Sequence, residues 1–570
     1  MEQQQQSGAT AGWSRSFFQD AAEFLKRNQR AVFLVCVLCV GALVTWPRHN
    51  FEQWFDPGDR GRDLYAFERT LHGETPYRDY LWMYGPLMPY VYAAFCGAFG
   101  CQISSVILGK LCFTMLAAVF LYLAVSRLFS AFTAFLAASW FLVIYPEFFF
   151  TYNHIAGIAM ILAVLWAVFS YVESSRVRDA FWGLLWGFVL ALIKINFGIV
   201  AVAMCVLGVF LTDKLKGTPW QPAKALFYVT AIGLVPVLTC AVYGWFLKDL
   251  SVVEIRQCLP YLSDDEPHIM NPLVALVRLI FFIGFTLRTD TIEACMAVLT
   301  GFAAIRTIQL LAARKLEPAC RARLVAALVV LAVFGAANLH EYLRSGVGYR
   351  LLWSQPLGIG LGFVLIDTAF ASMGRLVRFQ ARLAILLMVV VSFTSGLQRI
   401  QAQKTHAHFL PGPRANIYLG NTPDWIQTVT AATARLRQEL KPGERFFAVP
   451  YDPLYYYLTE TKSPTRMLMF FEHIKIPREQ EQAVINDLER HRVNHVLVAN
   501  MSKSQEYGFG VLGKTYCPVI GRYIEENFAP IAEYGDWINE PLWSRHHGVR
   551  ILQRKKPTTT TGPPVPGKQP

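Results

Sequence analysis

Long apolar runs, separated by short polar segments, dominate the first four hundred residues. The runs are about 17–25 residues long, the length at which an α-helix crosses a bilayer. We therefore predict a mainly α-helical, polytopic membrane protein with about eleven transmembrane helices. The predicted spans are 31–46, 104–126, 131–149, 155–172, two within 180–212, 225–247, 292–311, 324–338, 351–370 and 383–398.

A basic residue decides how two of the runs are interpreted. The run 180–212 is too long for one crossing and contains Lys194 near its middle. Because a charged side chain inside a membrane span is costly, we predict that the chain turns at Lys194 between two spans. The run 273–288 is short and contains Arg278, so we interpret it as a juxtamembrane or re-entrant helix.

The composition changes at about residue 404. Strands are predicted at 445–450, 495–499 and 549–553, and helices at 480–491 and 523–528. This alternation predicts a small α/β domain over 404–554. Residues 555–570 are rich in Thr, Pro and Gly, which is typical of a disordered tail.

The charges indicate how the chain is oriented. With 54% hydrophobic and 16% charged residues, the chain is too apolar for a soluble protein. The net charge of +13 comes from Lys and Arg clusters between the apolar runs, which is a topology signal and excludes nucleic acid as the expected partner. We predict a cytoplasmic segment 1–30, a transmembrane domain 31–403 with a first outer loop 47–103, and an extracytoplasmic domain 404–554.

The first outer loop is dense in acids, bases, aromatic residues, Gly and Pro. A short helix is predicted over 64–71, with its apolar residues on one face, so it could lie flat on a membrane. Asp59 precedes it and has two interpretations. It caps the helix, as Asp56 before Pro57 also could, or it is a carboxylate that takes the proton of a hydroxyl or binds a divalent metal. The sequence leaves both open.

Other polar residues lie at the predicted outer boundary. Lys194 either pairs with a lipid phosphate or extends to the interface as an anchor. Arg350, beside Tyr349, either binds phosphate with its planar guanidinium or anchors the helix. Glu147 and His154 lie in the second outer loop, where a lone His is more often structural.

Three segments resemble the first outer loop of the C-type (GT-C) membrane glycosyltransferases, which include the protein O-mannosyltransferases and the lipid A aminoarabinose transferases. They are DRGRDLY at 59–65, GETPYRD at 73–79 and GPLMPY at 85–90. The stretch GFVLALIK at 187–194 is similar to a second family segment, with Ile193 in place of the usual Thr.

The resemblance implies a sugar donor linked to polyprenyl phosphate and an acceptor hydroxyl on a glycolipid, glycan or protein. The hydroxyl attacks the anomeric carbon in one inverting displacement, with or without a divalent metal ion. The matching acid in the first loop is Asp59, which would be the base, and Lys194, Arg62 and Arg350 would supply positive charge to the phosphate. Glu147 is the acid nearest to the second-loop acid of many relatives. Asp63 is a further candidate acid, and Tyr349 and His154 are further candidate substrate ligands from their own positions in the sequence. It also implies a bacterial inner membrane, with the site facing the periplasm or exterior.

Two other functions compete with this one. A lipid or glycan transporter should show internal repeats and broken, charged helices at the membrane midplane. The chain instead concentrates its chemistry in one outer loop and adds a large outer domain, which favours an enzyme. A non-catalytic envelope assembly protein would not need Asp59.

Overall fold

The computed structural model describes residues 23, 27–144, 152–259, 271, 273–274, 291–345, 348–504 and 509–555. These residues form two compact units. Unit 1 comprises Met1–Phe51 and Met83–His406, and unit 2 comprises Glu52–Trp82 and Ala407–Pro570. Glu147, the predicted re-entrant helix 273–288 and the predicted tail 555–570 lie wholly or mostly outside the described residues.

Unit 1 is helical. Among the described residues of the chain, eight helices are long and apolar enough to cross a membrane, so the protein is an integral, multi-pass membrane protein. The helices of unit 1 are Gln29–Thr45, Leu87–Phe99, Ile103–Leu128, Ala131–Ile144, Asn153–Ser174, Val177–Ile193, Ile195–Lys216, Pro222–Leu247, Val252–Cys258, Thr291–Ala312, Pro318–Ala337, His340–Ser345, Gln355–Ala371 and Arg375–Thr405. Each predicted span has a counterpart in this series. The apolar helix Leu87–Phe99 was missed, because its 13 residues are too few for a span.

The helix Asn153–Ser174 is the core of unit 1. Its most apolar 18-residue window is 94% buried, whereas that of Arg375–Thr405 is 11% buried. It packs against both Ile103–Leu128 and Val177–Ile193. Peripheral helices such as Pro222–Leu247 expose large apolar side chains, as expected of helices that contact lipid.

The predicted turn at Lys194 is confirmed. The helix Val177–Ile193 ends there, Lys194 has an extended backbone, and a new helix begins at Ile195. The two helices then pack so closely that a Cβ on Gly198 would lie 2.3 Å from Cα of Ala191. Gly85 also belongs to this junction, because its N–H donates to the carbonyl of Ile193 at 2.8 Å.

Unit 2 is an α/β unit. Its strands are β1 (Phe51–Glu52, of which Glu52 belongs to this unit), β2 (His408–Leu410), β3 (Ile417–Leu419), β4 (Phe446–Val449), β5 (His495–Ala499), β6 (Phe528–Gly535) and β7 (Gly548–Arg554). Its helices are Asp59–Leu71, Pro423–Glu439, Leu454–Thr459, Arg478–Arg490 and Pro518–Asn527. The larger sheet has the order β4–β5–β7–β6, with β4 and β5 parallel and the other pairs antiparallel. The predicted mainly α-helical class with an α/β part is confirmed.

Residues 52–82 are an integral part of unit 2. The backbone N–H and C=O of Phe55 are both bound by the side chain of Asn421. The N–H of Leu81 donates to the carbonyl of Arg466 at 2.9 Å, and the guanidinium of Arg414 pairs with Glu68 at 2.6 Å. The first-loop segment and the C-terminal segment therefore share one hydrogen-bonded core.

The helix Asp59–Leu71 differs from its prediction. It begins five residues before the predicted start, and most of its residues are buried, so the expectation that it lies flat on a membrane is wrong. It packs against Leu454–Thr459, and Gly61 permits this because a Cβ there would lie 2.4 Å from the backbone nitrogen of Leu454. The helix is buried on its polar side because its charged side chains are paired.

Candidate active site

Hydrogen bonds at the start of the helix Asp59–Leu71 show which acid binds the N–H groups of its first turn. Oδ1 of Asp56 accepts a hydrogen bond from the N–H of Arg60 at 3.2 Å, so Asp56 serves the first turn. Burial, together with the nearby Asp59 carboxylate, raises the pKa of Asp56 to about 7. The carboxylate of Asp59 is bound elsewhere.

Asp59 is held by one of its two oxygens. Its Oδ1 accepts hydrogen bonds from Arg62 at 3.0 Å and from the hydroxyl of Tyr451 at 2.8 Å. No residue in the described ranges donates to its Oδ2, and the side chain is 28% exposed. Asp59 is thus a partly exposed carboxylate whose position is set through one of its oxygens.

Arg62 links Asp59 to Asp63. Its guanidinium donates to Oδ1 of Asp63 at 2.9 and 3.2 Å and lies 5.6 Å from the ring centre of Trp82. Arg62 and Asp63 are almost fully buried. A guanidinium bound by two carboxylates is suited to orienting Asp59, and Asp63 is suited to holding Arg62. We call Asp59, Arg62, Asp63 and Tyr451 the aspartate cluster.

Two members of this region were not predicted from the sequence. Tyr451 supplies the second donor to Asp59, and Asp452 follows it in the chain. Asp452 is buried, neither of its carboxylate oxygens has a hydrogen-bond partner among the described residues, and burial together with the nearby Asp56 raises its pKa to about 8. The available signal was the Tyr-Asp-Pro sequence at 451–453, directly after the predicted strand.

A second polar cluster surrounds Lys194 in unit 1. The Nζ of Lys194 forms an ion pair with Oε1 of Glu341, and both side chains are about 95% buried. The same Nζ lies 4.9 Å from the ring centre of Trp353, 5.5 Å from that of Tyr84 and 5.3 Å from that of Phe197. Aromatic faces and one carboxylate thus stabilise the buried ammonium group.

Asn196 and His340 fix the position of Glu341. The amide nitrogen of Asn196 lies 3.0 Å from Oε1 of Glu341 and 2.6 Å from Nε2 of His340. The Nδ1 of His340 lies 2.9 Å from the carbonyl of Ala337, which is the arrangement for a proton on Nδ1 and an acceptor at Nε2.

Arg350 belongs to the same cluster, because it interacts electrostatically with both Lys194 and Glu341. We call Lys194, Asn196, His340, Glu341 and Arg350 the lysine cluster. The sequence analysis gave Glu341 no role. The signal was an acid in the polar segment 338–342 at the end of a predicted span, although nothing in the sequence identified its partner.

The remaining predicted residues are less informative. His154 is buried, with its ring 5.0 Å from that of Trp353 and 5.9 Å from that of Tyr84, so it packs beside the lysine cluster. Tyr349 lies in the 3₁₀ segment Gly348–Trp353. Glu147 is outside the described residues. Within the described residues, no group of three or more His, Cys, Asp and Glu side chains is arranged to hold a metal ion.

Comparison with known proteins identifies the fold. No family model and no curated protein matches the chain. The structure is similar to ArnT from Cupriavidus metallidurans bound to undecaprenyl phosphate, with a TM-score of 0.52 at 10% identity over 91% of this chain and 97% of that chain. For the apo state of the same protein, the TM-score is 0.52 at 11% identity, over 92% of this chain and 98% of that chain. ArnT is a lipid A aminoarabinose transferase of the GT-C fold, so the predicted fold is confirmed.

A further similar structure is the Archaeoglobus fulgidus oligosaccharyltransferase in complex with zinc and sulfate. Its TM-score is 0.47 at 12% identity, over 90% of this chain and 73% of that chain.

Proposed function

We propose that this chain, which has the GT-C fold, is a membrane glycosyltransferase that moves a sugar from a polyprenyl-phosphate donor to an acceptor hydroxyl. The geometry of Asp59 carries the proposal. Its Oδ1 is held by two donors while its Oδ2 has no partner among the described residues, which is the arrangement a general base requires. The fold shared with ArnT, which was crystallised with undecaprenyl phosphate, supports this class of donor.

The reaction is a single displacement. The acceptor oxygen attacks the anomeric carbon, and the bond from that carbon to the phosphate oxygen breaks, with its electron pair passing to the phosphate. The acceptor proton moves to Oδ2 of Asp59. Inversion at the anomeric carbon follows from one displacement.

The other residues of the two clusters then have distinct roles. Arg62 and Tyr451 orient Asp59 through its Oδ1, and Asp63 holds Arg62. Lys194 and Arg350 supply positive charge to the phosphate, which leaves without needing a proton donor. No step in this scheme depends on a metal ion.

The test is the transfer of a labelled sugar from polyprenyl phosphate to extracted lipids by Asp59→Asn protein. The amide keeps the hydrogen-bond acceptor at Oδ1 but cannot take the acceptor proton. General-base loss lowers rates by about 10²- to 10⁴-fold, so nearly all transfer should disappear while insertion and folding stay normal.

Asp56→Asn is the matched control. Asp56 belongs to the same turn, and an asparagine there still accepts the hydrogen bond from Arg60. This variant should keep most of the activity. Transfer by Asp59→Asn protein at near wild-type rate would remove Asp59 from the mechanism.

A further inference from the structure

Glu341 is an acidic residue next to Lys194, the lysine that binds the donor phosphate in the proposed function. Its carboxylate forms a buried ion pair with Lys194, and Asn196 donates to the same oxygen at 3.0 Å. Burying a pair of charges costs desolvation energy, and the pair is often no more stable than apolar side chains. A lysine that only had to bind an anion would bind it more strongly without this carboxylate, so the retained acid requires a reason.

The net charge of the lysine cluster provides a reason for this acid. Lys194 and Arg350 carry one positive charge each and Glu341 carries one negative charge, which leaves a net charge of about +1. A sugar donor on polyprenyl phosphate is a phosphodiester with one negative charge. The product, polyprenyl phosphate, is a monoester whose second pKa is about 6, so it carries nearly two negative charges at neutral pH.

We infer that Glu341 is a specificity residue. It sets the net charge of the lysine cluster to about +1, which matches the single negative charge of the phosphodiester donor, and it thereby weakens retention of the doubly charged product. This inference rests on the proposed function. Glu341 acts through Lys194 and takes no part in bond making. Asn196 and His340 keep its carboxylate against the ammonium group, so the countercharge stays when the product forms.

The experiment compares two ligands on the full-length protein in detergent. Affinities are measured for undecaprenyl phosphate and for its methyl phosphodiester at about pH 5 and pH 8. The titratable and charged groups that face this pair, His340, His154, Tyr84 and Arg350, act on both ligands. Only the monoester gains a second charge in this range, so the affinity ratio isolates that charge.

Wild-type protein should change this ratio by less than about threefold between the two pH values. Glu341→Gln should favour the monoester by a further tenfold or more at about pH 8, since one unit of charge close to the phosphate is removed. The variant should also show stronger product inhibition of transfer at that pH. If the ratio of monoester to diester affinity in Glu341→Gln equals that of wild type at both pH values, the inference is wrong.

Glu341→Gln leaves Lys194 buried without its partner, so a second comparison guards against misfolding. Glu341→Asp keeps the negative charge on a side chain one methylene shorter, and Tm is measured for both variants. Glu341→Asp should follow wild type in the ligand ratio, whereas Glu341→Gln should shift toward the monoester by about tenfold or more at about pH 8. An equal ratio in the two variants would contradict the role of Glu341.

The two proposals fail differently. If Lys194→Met leaves the affinity for both ligands unchanged, phosphate binding by Lys194 is wrong and the proposed function loses that step. If Lys194→Met weakens both ligands, but removing Glu341 leaves their ratio unchanged, only the charge-matching inference is wrong.

Discussion

Asp452 is a buried acid whose titration should be visible in the stability of the protein. Its side chain is about 1% exposed, and among the described residues neither carboxylate oxygen has a hydrogen-bond partner. Burial, together with the nearby Asp56, raises its pKa to about 8. Asp452→Asn retains the shape of the protonated carboxyl and cannot ionise.

The size of the effect follows from linkage. In the unfolded chain the carboxyl ionises near its ordinary pKa of 3.8, whereas the folded protein keeps its proton up to a pH of about 8. The stabilisation by this proton is complete below pH 3.8 and is lost as the pH rises toward 8. Neutral pH lies about three units above the ordinary pKa. Ionisation of Asp452 in the unfolded chain therefore lowers the free energy of unfolding by on the order of 4 kcal/mol, at about 1.4 kcal/mol per unit.

The assay is thermal unfolding of full-length protein in detergent at about pH 4.5, 6 and 7.5. The Tm of Asp452→Asn, relative to wild type, should rise steadily with pH. Burial lowers the pKa of His547, 3.9 Å from Asp452, to about 3, but both proteins retain this residue, so its contribution cancels.

Asp424→Asn, which removes an exposed acid, is the control and should show no such rise. A Tm difference independent of pH would mean that folded Asp452 ionises like an exposed acid.

Three other outcomes are expected. Gly61→Ala should lower the stability of unit 2 by about 1–3 kcal/mol, because the new methyl group meets the backbone of Leu454; thermal unfolding measures this. Tyr451→Phe should lower the transfer rate about five- to tenfold without unfolding the protein, since the predicted base loses one hydrogen bond worth about 1 kcal/mol. Reporter fusions at Lys26 and Lys441 should report opposite sides of the membrane, with Lys26 cytoplasmic, and the same side for both would refute the predicted odd number of spans.

Local features of the fold could be predicted from the sequence. The helix break at Lys194 was predicted because a charged residue in the middle of an overlong apolar run is expensive within a bilayer. The strands β4, β5 and β7 were predicted from short apolar segments between polar ones. These features depend on residues close together in the chain.

The partners of the site residues could not be predicted in this way. Tyr451 is 392 residues from Asp59, and Asn196 is 145 residues from Glu341. Such pairs are set by how whole elements pack, and a single sequence carries no pattern that joins them. The same limit explains the error about the helix Asp59–Leu71. Its apolar face was visible, but the helix Leu454–Thr459 and Arg414, which pack against it, lie elsewhere in the chain.

The division of unit 2 between two distant segments constrains how the protein is made. Residues 52–82 leave the ribosome more than three hundred residues before residue 407. At about 5–20 residues per second, the wait is about 15–65 s. During this time Glu68 lacks Arg414, and Tyr65 lacks the backbone of Ser463. Unit 2 must therefore be completed after synthesis of most of the membrane helices, and a fragment that begins at residue 407 should fold only when residues 52–82 are supplied.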